Sequence, residues 1–169
     1  MWFPMTPMTL ADAEGSPSAL RFEAIVAAPP ELVFEVWTGD DLVVTLPDLR
    51  AIEWTSRPPR GVGSTRIVRL QPFAVKERFL AWEPARRVTF TMEAISLPVL
   101  GAMMEDFRLE PVRPHHTHVR YTVHYVPRAR LGLVSAVARR LLAATFGGAL
   151  ATIAAVATTR AQQRAAAAR

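Results

Sequence analysis

The chain has 169 residues, half of them hydrophobic, with a formal charge of +5 carried by nineteen arginines and one lysine. That is enough apolar material for one domain with a real core. It has no cysteine, which excludes disulfides, thiolate metal sites and cysteine nucleophiles and leads to the expectation of a cytoplasmic protein; its cations are spread without the block that a nucleic-acid arm needs, so no nucleic-acid partner is expected.

Residues 1–18 hold prolines, acids and small residues but no basic start followed by an apolar run, so they are expected to form a flexible leader rather than a secretory signal. Leu20 to Ala27 alternates Phe22, Ala24 and Val26 with Arg21, Glu23 and Ile25, the pattern of a strand. Pro29 and Pro30 end it and open a helix over Glu31 to Thr38 with an apolar side of Leu32, Val33, Val36 and Trp37. A second short helix starts from Asp40, which is placed to cap it, and stops at Pro47. Six further strands follow between Pro and Gly turns: Ala51 to Ser56, Ser64 to Leu70, Phe73 to Trp82, Arg87 to Ile95, Met103 to Glu110 and His116 to Val126.

From Leu131 to Arg164 the chain is rich in Leu, Ala, Val and Arg and free of proline, with Leu142, Phe146, Leu150, Ile153 and Ala157 on one helical face. Gly147 and Gly148 weaken that helix at its middle and are the expected place for a bend. Leu141 to Thr159 is uncharged for nineteen residues, close to a bilayer's width. Its seven alanines, four threonines and two glycines make it only weakly apolar, so burial of one side by a sheet is the preferred account and a membrane partner is not expected. The expected domain is therefore residues 19–164, with residues 165–169 a frayed tail. Its class is α+β: a seven-stranded curved antiparallel sheet wrapped around a long C-terminal helix, with two short helices after the first strand.

Three stretches carry a resemblance: Val26-Ala27-Ala28-Pro29-Pro30-Glu31-Leu32-Val33-Phe34, the Gly61-Val62-Gly63-Ser64 entry to a strand, and Trp82-Glu83-Pro84-Ala85-Arg86-Arg87-Val88. With the order of elements, they make the chain from Ala19 to Ala161 resemble the START-related, pollen-allergen-like (SRPBCC) superfamily, in particular its polyketide cyclase/dehydrase-like members. The resemblance implies a helix-grip fold with a cavity for an apolar small molecule. It does not fix an activity, because lipid carriers, hydrolase-like and co-chaperone members share the fold.

Strand periodicity assigns the inward rows. Phe73, Val75, Glu77 and Phe79 point in from one strand, and Val88, Phe90 and Met92 from the next. Met103, Glu105, Phe107 and Leu109 do so from the sixth strand, and Val119, Tyr121, Val123 and Tyr125 from the seventh. Residues 64–70 are ambiguous, since Thr65, Ile67, Arg69 and Arg66, Val68, Leu70 are both tolerable inward rows. The ligand-binding candidates are Phe73, Phe79, Phe90, Met92, Met103, Phe107 and Tyr125, with Phe146 from the long helix.

Glu77 and Glu105 fall in apolar rows, where a carboxylate has a partner, is neutralised by a raised pKa, or lies near water. One reading makes Glu77 or Glu105, Glu105 by preference, a general base or acid on a carbonyl-rich ligand, with Tyr121 or Tyr125 donating to the enolate oxygen. The other pairs them with Arg69 or Arg66 as structure. In some polyketide aromatase/cyclases of the superfamily a cavity arginine holds the substrate's oxygens, and Arg69 is the nearest candidate here. His115, His116, His118 and His124 lie close in sequence, but His116, His118 and His124 share a face with Arg120 and Thr122, opposite the apolar row; that face is expected to be the outer, solvated one, and no metal is expected. No phosphate loop, nucleophile elbow or zinc helix is present in the sequence, and no organic cofactor is expected. The expected function is binding of an apolar or amphiphilic small molecule between sheet and helix by a monomer or homodimer. Cofactor-free polyketide cyclisation or dehydration, lipid carriage, and a surface interaction module with a filled core remain the open alternatives.

Overall fold

The computed structural model describes residues 1–15, 19–40, 42–128 and 132–168, with the side chains of all of these except 14, 15 and 132–138. The elements in order are β1 (Phe3–Pro4), α1 (Asp12–Gly15), β2 (Ala19–Val26), α2 (Pro30–Thr38), α3 (Leu42–Thr45) and β3 (Leu49–Trp54). They continue as β4 (Thr65–Leu70), β5 (Ala74–Glu83), β6 (Arg87–Ile95), β7 (Leu100–Arg113), β8 (His116–Pro127) and α4 (Gly132–Ala167). The long helix expected from Leu131 is thus described from Gly132; Leu131 itself, and residues 16–18 of the leader, lie outside the described residues.

One antiparallel sheet runs in the order β2-β8-β7-β6-β5-β4-β3, curved around α4. Successive strands from β3 to β8 are neighbours, and β2 closes the far edge by pairing with β8. The connection from β2 to β3 carries α2 and α3 across the open side. Pro29, extended at φ −67°, and Pro30 start α2 without a side-chain cap, because proline has no N–H to satisfy at a helix start. Leu32, Val33, Val36 and Trp37 bury one face of α2, and Leu150, Ile153 and Ala157 do so for α4. Gly147 has a packing reason: a Cβ there would stand 3.3 Å from the ring of Phe22 on β2, so its absence lets helix and sheet approach. Arg164 reaches Glu35 of α2 at 2.8 Å, tying the C-terminal end of α4 to the other helix.

Four expectations need correction. The leader is not loose. β6 pairs with β7 only from Arg87 to Thr91, and where they part β1 enters, Phe3 opposite Ile95 and Pro4 opposite Ala94. The seven expected strands form the sheet, and β1 joins them as an eighth. Met5 N–H donates to the Glu93 carbonyl and Thr6 N–H to the Gly101 carbonyl, so the segment satisfies both separated edges, as unpaired buried backbone groups require. Second, residues 165–167 continue α4 instead of fraying. Third, Asp40 does not cap α3; its carboxylate accepts from Trp54 Nε1 and Arg60, which hold it below the usual carboxylate range. Fourth, the outer face carrying the histidines is not all solvated, because Met8 packs there with Ala102 and Met104, and His124 is buried.

Candidate functional site

A cavity of about 330 Å³ lies between the inner face of the sheet, α3 and α4, within the range of small-molecule sites. Its floor is apolar. Val75, Phe90, Met92 and Met103 come from three central strands, Phe73 stands just before β5, and Phe146 covers them from α4. Alanine and glycine at Ala144, Gly148 and Ala149 leave the space that larger residues on α4 would fill. A filled core is thus not what this chain has.

Polar groups form a belt across one part of that floor. In the β4–β5 hairpin Arg66 stands directly opposite Glu77, and in the β6–β7 pair Phe90 stands opposite Glu105. Tyr121 of β8 is one diagonal step away, since Glu105 faces Val123 and Phe107 faces Tyr121. The register itself makes the contacts. Arg66 Nε donates to Glu77 Oε2 at 2.6 Å, and Tyr121 OH donates to Glu105 Oε2 at 2.5 Å. All four residues line the cavity and are buried. Among the described residues, the terminal nitrogens of Arg66 and the Oε1 atoms of Glu77 and Glu105 have no hydrogen-bond partner. Instead the guanidinium carbon lies 4.9 Å from the Phe79 ring centre and 5.2 Å from that of Phe90, where the ring quadrupoles favour its charge.

Burial sets the protonation of this belt. It pushes Glu105 up to about 8, with the neighbouring Glu77 carboxyl adding to the rise and the Tyr121 hydrogen bond opposing it. Burial also raises Glu77, against the pull of Arg66. Tyr121 rises well above its ordinary value, first by burial and then by the charge of Glu105. Burial thus favours the neutral form of both carboxyls, and at Glu77 the Arg66 charge opposes it.

Of the residues picked from the sequence, Glu77, Glu105, Tyr121, Phe73, Phe90, Met92, Met103 and Phe146 meet at this cavity. Arg69 does not. It is on the outer row of β4, where Nε bonds Glu53 at 2.7 Å in solvent, and Arg66 holds the inward place. Phe79, Phe107 and Tyr125 are buried but absent from the cavity wall. Phe79 is packed among Trp54, Trp82 and Phe90, and Phe107 stacks on Trp37 at 4.3 Å between centroids. Sequence reasoning did not pick Met5 or Trp37, which are on the wall, and named Arg66 only as a structural partner of the two carboxyls; its pairing with Glu77 is present, and Arg66 also lines the cavity. A signal for Arg66 existed: counting back from the Gln71-Pro72 turn pairs it with Glu77.

The outer face has other polar groupings. Asp106 is raised by burial, but donors from Arg87, Thr89 and Arg108 outweigh this and hold it low. His118 bonds Glu23, and burial keeps His124 below its ordinary value. Among the described residues no group of three or more His, Asp or Glu is placed to hold a metal ion.

Comparison with known proteins agrees with this architecture. The family described as polyketide cyclase/dehydrase and lipid transport matches residues 19–158. An uncharacterized protein of Mycobacterium tuberculosis is 32% identical over 117 residues, which are 65% of this chain and 67% of that one. Among solved structures, the Zhui aromatase/cyclase from Streptomyces sp. R1128 superposes with a TM-score of 0.68 at 21% identity, over 88% of this chain and 95% of that one. A START superfamily protein from Mycobacterium smegmatis gives 0.65 at 13% identity, over 86% and 97%. At those identities the two structures speak for the helix-grip fold alone.

Proposed function

The chain belongs to the polyketide cyclase/dehydrase and lipid transport family, and on that premise we propose that it binds a carbonyl-bearing hydrophobic molecule in its cavity and cyclises or dehydrates it by acid–base chemistry of its own side chains. The observation that carries this reading is the Tyr121–Glu105 pair, a carboxyl with a pKa of about 8 set in an apolar wall beside Arg66. A base works best when its pKa is near the working pH, and a buried carboxylate is a stronger base than a solvated one.

In the proposed step the ionised Glu105 removes a proton from carbon between two carbonyls of the ligand. Negative charge then develops on oxygen, where the unpartnered terminal N–H groups of Arg66 supply donors. The resulting carbon nucleophile attacks a second carbonyl of the same molecule, the new carbon–carbon bond leaves an alkoxide, and Glu105 returns its proton to that oxygen. Loss of water follows: the ionised Glu105 takes the proton from the carbon next to the alcohol-bearing one, the carbon–oxygen bond breaks as the double bond forms, and the proton on Glu105 passes to the departing hydroxide, which leaves as water. Tyr121 orients Glu105 throughout, because its hydroxyl fixes one carboxylate oxygen and leaves the other free.

Native mass spectrometry of the protein purified from its own host identifies the ligand; an oxygenated polyketide-like mass is expected. With that ligand, Glu105→Gln keeps the shape and removes the base, so turnover should fall about a hundredfold or more. The parent's kcat/KM should rise with pH about a midpoint near 8. A variant within about tenfold of the parent would make the cavity a carrier site.

A further inference from the structure

We propose that the polar belt selects uncharged ligands and turns away anionic ones, so that the oxygen functions seated against Arg66, Glu77 and Glu105 are carbonyls or hydroxyls and never a carboxylate or phosphate. The inference rests on the cavity being a ligand site, but it is independent of any reaction there. A lone buried arginine would be an anion receptor, because a guanidinium offers five donors and a permanent charge. Arg66 is not alone. Glu77 stands opposite it across the hairpin and takes its Nε–H at 2.6 Å, so the charge an anion would seek is already met. The third member, Glu105, is held by Tyr121 on the same wall and adds acceptor oxygen, not positive charge.

With Glu77 paired as a carboxylate against Arg66 and Glu105 protonated, the three groups sum to zero, and loss of the Glu105 proton takes the belt to minus one. In neither of these two states does a net positive charge face the cavity from the three groups. An incoming carboxylate would therefore lose its water for a neutral or negative wall, which buried charge tolerates poorly. A ketone or alcohol would instead accept from the terminal N–H groups of Arg66 or donate to the free Oε1 atoms, and those atoms have no partner among the described residues. The remaining wall, from Phe90, Met92 and Phe146, asks only for an apolar chain.

Three single-chain amphiphiles of equal length test this: 2-dodecanone, 1-dodecanol and dodecanoate, titrated calorimetrically into the whole protein freed of ligand, at pH 7. The ketone and alcohol are expected to bind at least about tenfold more tightly than the acid, the scale of a like-charge or uncompensated contact. Glu77→Gln leaves Arg66 unmatched and is expected to narrow that gap by strengthening dodecanoate. Dodecanoate binding as tightly as the ketone in the parent overturns charge selection while leaving the cavity as a ligand site. No binding by any of the three overturns the ligand-site reading itself, and the selection with it.

Discussion

Glu105 shows what a single buried carboxyl does to its surroundings. In the unfolded chain its proton leaves near the ordinary value of 4.5, whereas the folded chain keeps it to about 8. Between those values the unfolded state binds fewer protons, so stability falls as pH rises from about 4.5 to 8 and levels off above. Glu105→Gln removes this titration and retains an oxygen for the Tyr121 hydroxyl. It should therefore gain little at pH 5 and about 3 kcal/mol or more at pH 8.5, on the rule that each pKa unit is worth about 1.4 kcal/mol. Urea unfolding of parent and variant across that range measures it; a difference that does not grow with pH contradicts the buried, protonated state. The same residue that limits stability is the one assigned the chemistry, a pattern expected of active sites. Its inward position was legible in the sequence because Met103, Glu105 and Phe107 alternate with residues of the opposite face. Arg66 was not legible by that rule, since Arg66 and Arg69 lie in rows of equal apolar character. Only the hairpin register, which pairs Arg66 with Glu77 and sends Arg69 to Glu53, separates them.

At the scale of elements, β6 is the strand that sequence patterning places best, Arg87–Ile95 by both routes. It lies in the middle of the sheet, where a periodic apolar row has no alternative partner. β1 is the opposite case. Two residues among prolines and methionines have no periodicity to read, and what makes them a strand is a vacancy elsewhere, the splitting of β6 from β7 after Thr91. Once there, Met5 is buried and lines the cavity, Arg128 donates to the Pro4 carbonyl at 2.6 Å, and Met8 N–H bonds Thr91 Oγ1 at 2.9 Å. Deleting residues 2–9 would strip two backbone partners from the β6 and β7 edges and two buried methionines from their clusters. The expected cost is about 3 to 5 kcal/mol, from burial of large side chains and unmet backbone groups. Faster release of a bound dodecanol should accompany it, because the cavity wall loses Met5. Stopped-flow displacement together with thermal melting checks both, and unchanged values in both would return this segment to the role of a loose leader.

For the molecule as a whole, the cavity is what the fold makes of a mismatch between its two layers. The sheet presents large side chains from several strands, while α4 answers with alanine, glycine and threonine along much of the stretch above them. That composition makes Arg139–Ala167 long and apolar enough to cross a membrane by length and content alone. In the fold, its Leu150, Ile153 and Ala157 are spent on the core, and the small residues beside them border the empty space. Where tryptophan stacks on the aromatic row, as Trp37 does on Phe107 and Trp54 on Phe79, those two phenylalanines are covered and do not reach the cavity. This is why the inward rows were readable while Phe79, Phe107 and Tyr125 proved to be core: alternation reports the face of a strand, not what lies against it. The mismatch can be removed from the helix side. Ala149→Phe adds an aromatic ring to a helix position that already borders the cavity, so the ring should enter the space without displacing the sheet. Its folding free energy is expected to stay within about 1.5 kcal/mol of the parent, since open volume spares it the strain of overpacking. Ligand-linked stabilisation should vanish: the parent's melting temperature rises with dodecanol concentration as binding to the native state requires, and the variant's should not. A variant that melts like the parent and still responds to dodecanol would place the binding site somewhere other than between this sheet and this helix.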